Sequence, residues 1–291
     1  MSISRAKALD RTEVRSGLSK MNIKKIVTTI IMAILAIFMI LPFIWMLSTS
    51  LKSPSEVFVF PIQWIPDSPS FEHHIKVWVD NNFAHYYFNS LKVAVIGTGG
   101  AIIIGSLAAY GFARISFKGR DLLFFLYLSM MMVPPQVLFV PKFIMFDWAG
   151  IYNTHWALIL PSFVTIFGVF YLRQFFLGVP KEISESAFID GAGHFRIFFQ
   201  IFLPLAKPAI VTFAIIDFSW NWNNYEDALV FLISEQLFTV PLGLQNFVHE
   251  FSIDYNGMMA AASAAIIPMI IIFFIGQKYI IQSVASSAVK G

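Results

Sequence analysis

The sequence predicts an all-α polytopic membrane protein with six transmembrane helices, and three observations lead there. Hydrophobic residues make up 57% of the chain and charged residues only 13%, too few ionisable side chains to clothe an ordinary soluble domain. Apolar runs of the roughly 20 residues that a helix needs to cross a bilayer recur at six places. The polar segments between these runs carry Lys and Arg very unevenly, as membrane orientation demands.

Taken in order, the chain opens with a basic tail, residues 1–25, holding Arg5, Lys7, Arg11, Arg15, Lys20, Lys24 and Lys25. The apolar runs follow at residues 26–47, 93–112, 122–140, 156–176, 209–231 and 259–281. The first is longer than the apolar core of a secretory signal and lacks a small-residue cleavage site, so it reads as a retained anchor. The third, fourth and sixth contain Pro134-Pro135, Pro161 and Pro268, which free backbone carbonyls and predict kinks. No internal repeat stands out. The organisation is one membrane domain, residues 26–282, closed by a short tail, residues 283–291.

Charge orients it. Arg114, Lys118 and Arg120 follow the second run, Arg173, Lys181, Arg196 and Lys207 surround residues 178–208, and Lys278 and Lys290 lie near the end. The long loop after the first run has only Lys52, Lys76 and, at its very end, Lys92, and residues 234–257 have neither Lys nor Arg. The positive-inside bias therefore predicts cytoplasmic termini, with residues 178–208 on the same side.

Several chemistries are excluded or disfavoured. The absence of Cys removes disulfides, thiolate metal sites and cysteine nucleophiles. The net charge is only +3 and no basic module with interleaved aromatics is present, so nucleic acid is not an expected partner. His73, His74, His85, His155, His194 and His249 form no metal-binding spacing. Gly97-Thr98-Gly99-Gly100 lacks the Lys and Ser/Thr of a phosphate loop and reads as a site of close helix packing. Neither a metal pair nor a Gly-x-Ser-x-Gly elbow points to an enzyme.

The most specific stretch is Glu185-Ser186-Ala187-Phe188-Ile189-Asp190-Gly191, followed by Ile201-Phe202-Leu203-Pro204. Val179-Pro180-Lys181-Glu182 predicts a helix start with Pro180 at the first helical position and Glu182 and Glu185 near the positive end of the helix dipole. Gly191 and Gly193 would end a helix of about 15 Å. Ser184, Ser186 and Ala187 are small enough for close approach. Phe195, Phe198, Phe199 and Phe202 fall at i, i+3, i+4 and i+7, predicting one apolar stripe. Alone, this segment also fits an interfacial hairpin.

Position for position, except at Ser186 where Ala is usual, the stretch resembles the EAA motif of permease subunits of binding-protein-dependent ABC importers. Asn89-Ser90, Ala108-Ala109-Tyr110-Gly111-Phe112-Ala113-Arg114, Gly150-Ile151-Tyr152-Asn153-Thr154, Thr239-Val240-Pro241-Leu242-Gly243-Leu244 and Ala288-Val289-Lys290-Gly291 are similar to its carbohydrate branch. The pattern is closest to the second permease of maltose-type systems, with Ser283 and Ser287 standing where Gly is usual. The resemblance implies a cytoplasmic coupling helix within residues 178–208, docked on a separate ATPase through Glu185, Ser186, Ala187, Asp190, Gly191, Ile201, Leu203 and Pro204. In that scheme Glu185 makes polar contacts, Ala187 packs in the ATPase cleft and Gly191 supplies the bend. Lys290 would reach the ATPase dimer, although a frayed cationic terminus fits equally. The implied partners are two ATPase subunits, a homologous second permease, an extracytoplasmic sugar-binding protein and membrane lipid. ATP and Mg would be bound by the ATPase, no cofactor by this chain, and the location would be the bacterial inner membrane.

The fifth run is unusually polar: Asp217, Trp220, Asn221, Trp222, Asn223, Asn224, Tyr225, Glu226 and Asp227. A centrally placed Asp costs about 2.5–3.5 kcal/mol on insertion scales, so these groups should face protein or water. On a continuous helix Asp217, Asn221 and Asn224 share one face, and Trp220, Asn223 and Asp227 a neighbouring one. Asp217, Trp220, Asn221, Asn223 and Asn224 are therefore candidates for lining a sugar path, with amides and carboxylates for hydroxyls and an aromatic ring for a pyranose face. Interfacial aromatics and helix-joining asparagines explain the same residues. A second functional reading, an ion-coupled secondary carrier of a small polar solute, would use Asp217 and Arg173. Glu235, Glu250, Asp254 and the loop after the first run would face either a binding protein or solvent alone.

Overall fold

In the computed structural model, which describes residues 23–80, 82–249 and 252–288, the chain is a helical bundle built around one long helix. The N-terminal tail before residue 23, Glu250 and Lys290 lie outside the described residues. Helix α1 spans Ile23–Ser50, α2 Glu72–Val79 and α3 Phe83–Arg114; α4 spans Arg120–Ser129, α5 Phe139–Trp148, α6 Trp156–Ser162 and α7 Ile166–Leu177. Then come α8 Lys181–Ile189, α9 His194–Ile197, α10 Leu203–Leu205, α11 Lys207–Trp222, α12 Glu226–Phe231, α13 Val240–Gly243, α14 Tyr255–Ala265 and α15 Ile267–Ala288. A two-residue antiparallel ladder, Val248 opposite Ile253 and His249 opposite Ser252, joins α13 to α14 without changing the all-α class.

Among the described residues, four helical stretches are long and apolar enough to cross a membrane, and two sharply bent pairs, Arg120–Met132 with Pro135–Trp148 and His194–Leu205 with Lys207–Trp222, bring the total to six when each pair counts as one span. One bend and one separate break revise two predicted spans. The third is not one rod: Arg120–Met132 and Pro135–Trp148 meet at 98°, because Pro134 and Pro135 remove two backbone donors and their rings exclude a helical turn. The fifth is not continuous to Phe231: α11 stops at Trp222 and α12 starts at Glu226. Here asparagine amides compete with the helix ladder. Asn223 Nδ2 donates to the Ser219 carbonyl at 2.8 Å, and Asn224 Oδ1 accepts the Asp227 amide at 3.2 Å, capping α12. Breaks also follow Pro161, between α6 and α7, and precede Pro268, between α14 and α15, whereas Pro42 sits inside α1 without interrupting it.

Helix α3, about 48 Å long at 1.5 Å per residue, packs against α7 and α11. Side chains added at Gly97 and Gly100 would strike Ser162 and the Phe163 ring, so the small residues serve close packing, as the sequence predicts. At one end of α3, Tyr86 and Asn89 bond Glu235, Gln236 and Phe238, while Asn256 bonds the Thr49 and Lys52 carbonyls and ties α14 to the end of α1. At the other end, Tyr110, Phe176, Phe198 and Phe202 form an aromatic cluster.

Candidate functional site

Two places gather the residues singled out by sequence, and α7 connects them. The first is the hairpin from Val179 to Ala206. Pro180 is extended and precedes α8, so Lys181, not Pro180, is the first helical residue. The helix closes with paired bonds: the Ala192 amide reaches back to the Ala187 carbonyl at 2.9 Å and the Gly191 amide to Phe188 at 3.0 Å. This is a Schellman end, and it requires a left-handed residue. Gly191 supplies it, with φ +80°.

Glu185, Ser186 and Asp190 stand exposed on α8 and its end, beside Ile189, which is 86% exposed. Ala187 does not point outward. It is 9% exposed and lies in the core cluster with Tyr110, Phe198 and Phe202, so its small size serves close packing within this chain. Ile201 and Leu203 pack against the same cluster, and Pro204 is exposed at the start of α10. The single phenylalanine stripe does not form. Residues Phe198–Phe202 make a π turn, whose i→i+5 spacing puts Ile197 and Phe202 inward together. Phe198 is also buried, while Phe195 and Phe199 face out.

Arg114, at the end of α3, fixes this hairpin to the bundle. Its guanidinium donates to the Phe176 carbonyl at 2.6 Å and to the Val179 carbonyl, and lies over the Phe202 ring at 4.8 Å. A cation at the carboxyl end of α7 meets carbonyls that lack helical partners. Close by, Arg173 Nε donates to the Phe112 carbonyl at 3.3 Å, stacks on Phe124 at 4.0 Å and approaches Asp121 at 3.8 Å.

The second place is a polar cleft of about 380 Å³ between α5, α6, α7, α11 and α12. Asp217, Trp220, Asn221 and Asn224 all line it, although Asn224 lies beyond the end of α11; Asn223 does not, its exposed amide being turned back onto Ser219. Asn221 Nδ2 donates to Asp217 Oδ2 at 2.9 Å and sits 3.4 Å from Thr98 Oγ1. Trp220 is half exposed and meets Phe167 edge-on at 5.2 Å. Opposite, Lys142 Nζ pairs with Asp227 Oδ1 at 3.1 Å, and Asp227 Oδ2 also accepts from Asn224 at 3.0 Å. Lys142, two residues past the third apolar run, was not among the predicted site residues, yet a lone lysine in the apolar helix Phe139–Trp148 is costly enough to mark a water-filled site. Thr165 lines the cleft too, and its hydroxyl caps α7 by accepting the Gly168 amide at 3.0 Å.

Other highlighted groups have internal work. His155 contacts the Leu237 carbonyl at 2.9 Å; burial holds its imidazole below the ordinary range, the hydrogen bond acting the other way. His74, His85 and His194 bond Ser50, Gln236 and Tyr110. Glu235 accepts the Tyr86 hydroxyl at 2.6 Å, and Asp254 caps α14 through the Gly257 amide at 2.9 Å.

Comparison with known proteins adds a family context. Residues 101–286 match the model of the family described as binding-protein-dependent transport system inner membrane component. The chain is 32% identical over 273 residues to the arabinooligosaccharides transport system permease protein AraQ of Bacillus subtilis, covering 93% of this chain and 97% of the relative. It is 34% identical over 273 residues to the melibiose/raffinose/stachyose import permease protein MelC of the same organism, covering 91% and 96%. A crystal structure of a bacterial ABC transporter involved in the import of the acidic polysaccharide alginate superposes with a TM-score of 0.78 at 24% identity, over 90% of this chain and 98% of that one. At that identity the likeness speaks for the fold.

Proposed function

The chain belongs to the family of binding-protein-dependent transport inner membrane components, and from that premise we propose how it works as the permease subunit of an ATP-driven carbohydrate importer. The observation that carries the proposal is α7. Its first residues, Ile166 and Phe167, line the polar cleft; its last turn holds Arg114 and leads directly into α8. Twelve residues, about 18 Å of helix, separate the two. A push on α8 is therefore delivered to the cleft through one rigid element.

In this account α8 docks on a separate ATPase through Glu185, Ser186, Ile189 and Asp190, with Ala187 and Gly191 holding its shape. ATP and Mg act on that ATPase, and this chain binds neither. Closure of two ATPase subunits tilts α7 and α11 and switches the cleft between outward and inward access. A homologous permease completes the path, and an extracytoplasmic binding protein delivers solute. Lys and Arg near α8 and their scarcity in residues 234–257 favour α8 and both termini on the cytoplasmic side.

The substrate class follows from the relatives' names, arabinooligosaccharides and the melibiose series, and from the cleft's chemistry: amide and carboxylate groups for hydroxyls beside the Trp220 ring. The ion-coupled carrier gains no support, since Arg173 is engaged by Phe112, Phe124 and Asp121, away from Asp217. A direct test is recovery of partners with the tagged chain from its native membrane. An ATPase and a second permease should co-purify, and Glu185→Arg with Ile189→Glu should lose the ATPase alone; unchanged ATPase recovery would remove docking from α8.

A further inference from the structure

Between α1 and α2 lies a segment whose chemistry transport does not use. From Val57 to Pro66 it has no ionisable side chain. Phe58, Phe60, Ile62 and Ile65 turn outward, Phe60 by 89% and Ile65 by 82%. A contiguous apolar patch of this kind on a water-facing surface calls for a partner.

The segment is also firmly held. Ser48 Oγ donates to the Trp64 carbonyl at 2.6 Å, the buried Lys52 ammonium donates to the Gln63 carbonyl and lies 4.0 Å over the Trp45 ring, and Trp64 meets Trp45 edge-on at 5.6 Å. These contacts fold residues 57–66 back against the last turns of α1, a helix long and apolar enough to cross the membrane. On another face of that helix Phe43 and Leu47 line an apolar groove shared with Trp78, Ile267 and Ile270, and Ile44 is also exposed. Beyond the segment, Phe71, Ile75 and Val79 at i, i+4 and i+8 make an exposed stripe along α2, while Val77 is buried on the opposite side.

We propose that residues 57–66, with the outer stripe of α2, form an anchor lying in the head-group and upper acyl region of the bilayer beside the end of α1. Continuity with a spanning helix selects lipid as the occupant, and paired tryptophans at a helix end are the residues that settle at that depth. A short apolar element held parallel to the interface contributes binding in proportion to the area it immerses. The anchor would fix the depth of α1 and, through Asn256, of α14. This inference rests on the membrane assignment but not on docking by α8 or on the polar cleft.

Because the chain has no cysteine, Phe60→Cys, Ile65→Cys and, as a water-facing reference, Asp67→Cys each give it one labelling site. The spin-labelled variants are studied in the assembled importer in phosphatidylethanolamine/phosphatidylglycerol nanodiscs, with the unsubstituted complex as background. Labels at Phe60 and Ile65 should collide with oxygen several-fold more readily than with a water-soluble nickel chelate, and the preference should reverse at Asp67. Nickel access at Phe60 and Ile65 would overturn the anchor by putting them in water. Exclusion of both reagents would overturn it by showing protein cover from the second permease or the binding protein. Should the cysteine variants fail to assemble, brominated lipid gives the second readout: it should quench the wild-type tryptophan emission more than that of Trp64→Phe, and equal quenching would reject the anchor. Uptake is assayed separately, so a failed transport account and a failed anchor give different results.

Discussion

Replacing Gly191 isolates the end of α8 from the rest of the fold. At φ +80° a Cβ costs roughly 1–2 kcal/mol, and an added Cβ would meet no heavy atom within 4 Å. The penalty of Gly191→Ala is therefore conformational and local. If it falls wholly on the Schellman turn, the native end of α8 becomes about 5–30 times less populated relative to an unravelled one. Gly191→Val goes further, because a β-branched residue in this region is a genuine outlier. Gly191→Asn should remain close to wild type, since Asn enters the left-handed region readily. The assay is solute imported per ATP hydrolysed by the complete importer in proteoliposomes, with yield of the assembled complex as the folding control. The expected order of coupling is Gly, Asn, Ala, Val at nearly constant yield. Coupling in Gly191→Val equal to wild type, or in Gly191→Asn as poor as in Gly191→Val, would refute the reasoning.

Three further outcomes follow from the geometry. Asn221→Leu removes a charge-assisted bond to Asp217, about 1.5–3 kcal/mol, and should cut uptake at least tenfold while the complex still elutes intact; unchanged rate, affinity and selectivity would take Asn221 out of the path. One nitrogen of Arg114, Nη2, serves both carbonyls, so Arg114→Lys keeps a cation that can donate to them but loses the planar guanidinium lying over Phe202; ATP turnover without matching import should rise modestly, and Arg114→Ala should exceed it. Gly100→Ala drives a methyl into the Phe163 ring, an overpacking worth about 1–3 kcal/mol; a thermal melt of the purified complex should fall by several degrees, whereas Gly99→Ala, which meets nothing within 4 Å, should leave it unchanged.

The parts of the fold legible in the sequence were those set by local chemistry. Long apolar runs located the membrane helices, Gly191 announced a helix end, and Gly97 and Gly100 announced close packing. What escaped was decided between elements or by competition within one. A hydropathy window averages across Asn223 and Asn224, whose amides end one helix and cap the next. The phenylalanine stripe presumed 3.6-residue periodicity, which the π turn at Phe198–Phe202 breaks. The inward direction of Ala187 depends on which face of α8 meets Tyr110 and Phe202, and no local pattern encodes that. Lys142 and Asp227 lie 85 residues apart, so only the folded chain makes them a pair.

The central claim is that work enters this permease from a separate nucleotide-driven subunit through α8. Its most direct measurement is solute accumulation in proteoliposomes holding this chain and its permease partner, with the binding protein supplied and ion gradients collapsed, first without and then with the ATPase and MgATP. Accumulation should be absent in the first case and restored in the second, and Glu185→Arg with Ile189→Glu should abolish the restoration. Equal accumulation without the ATPase would contradict the claim.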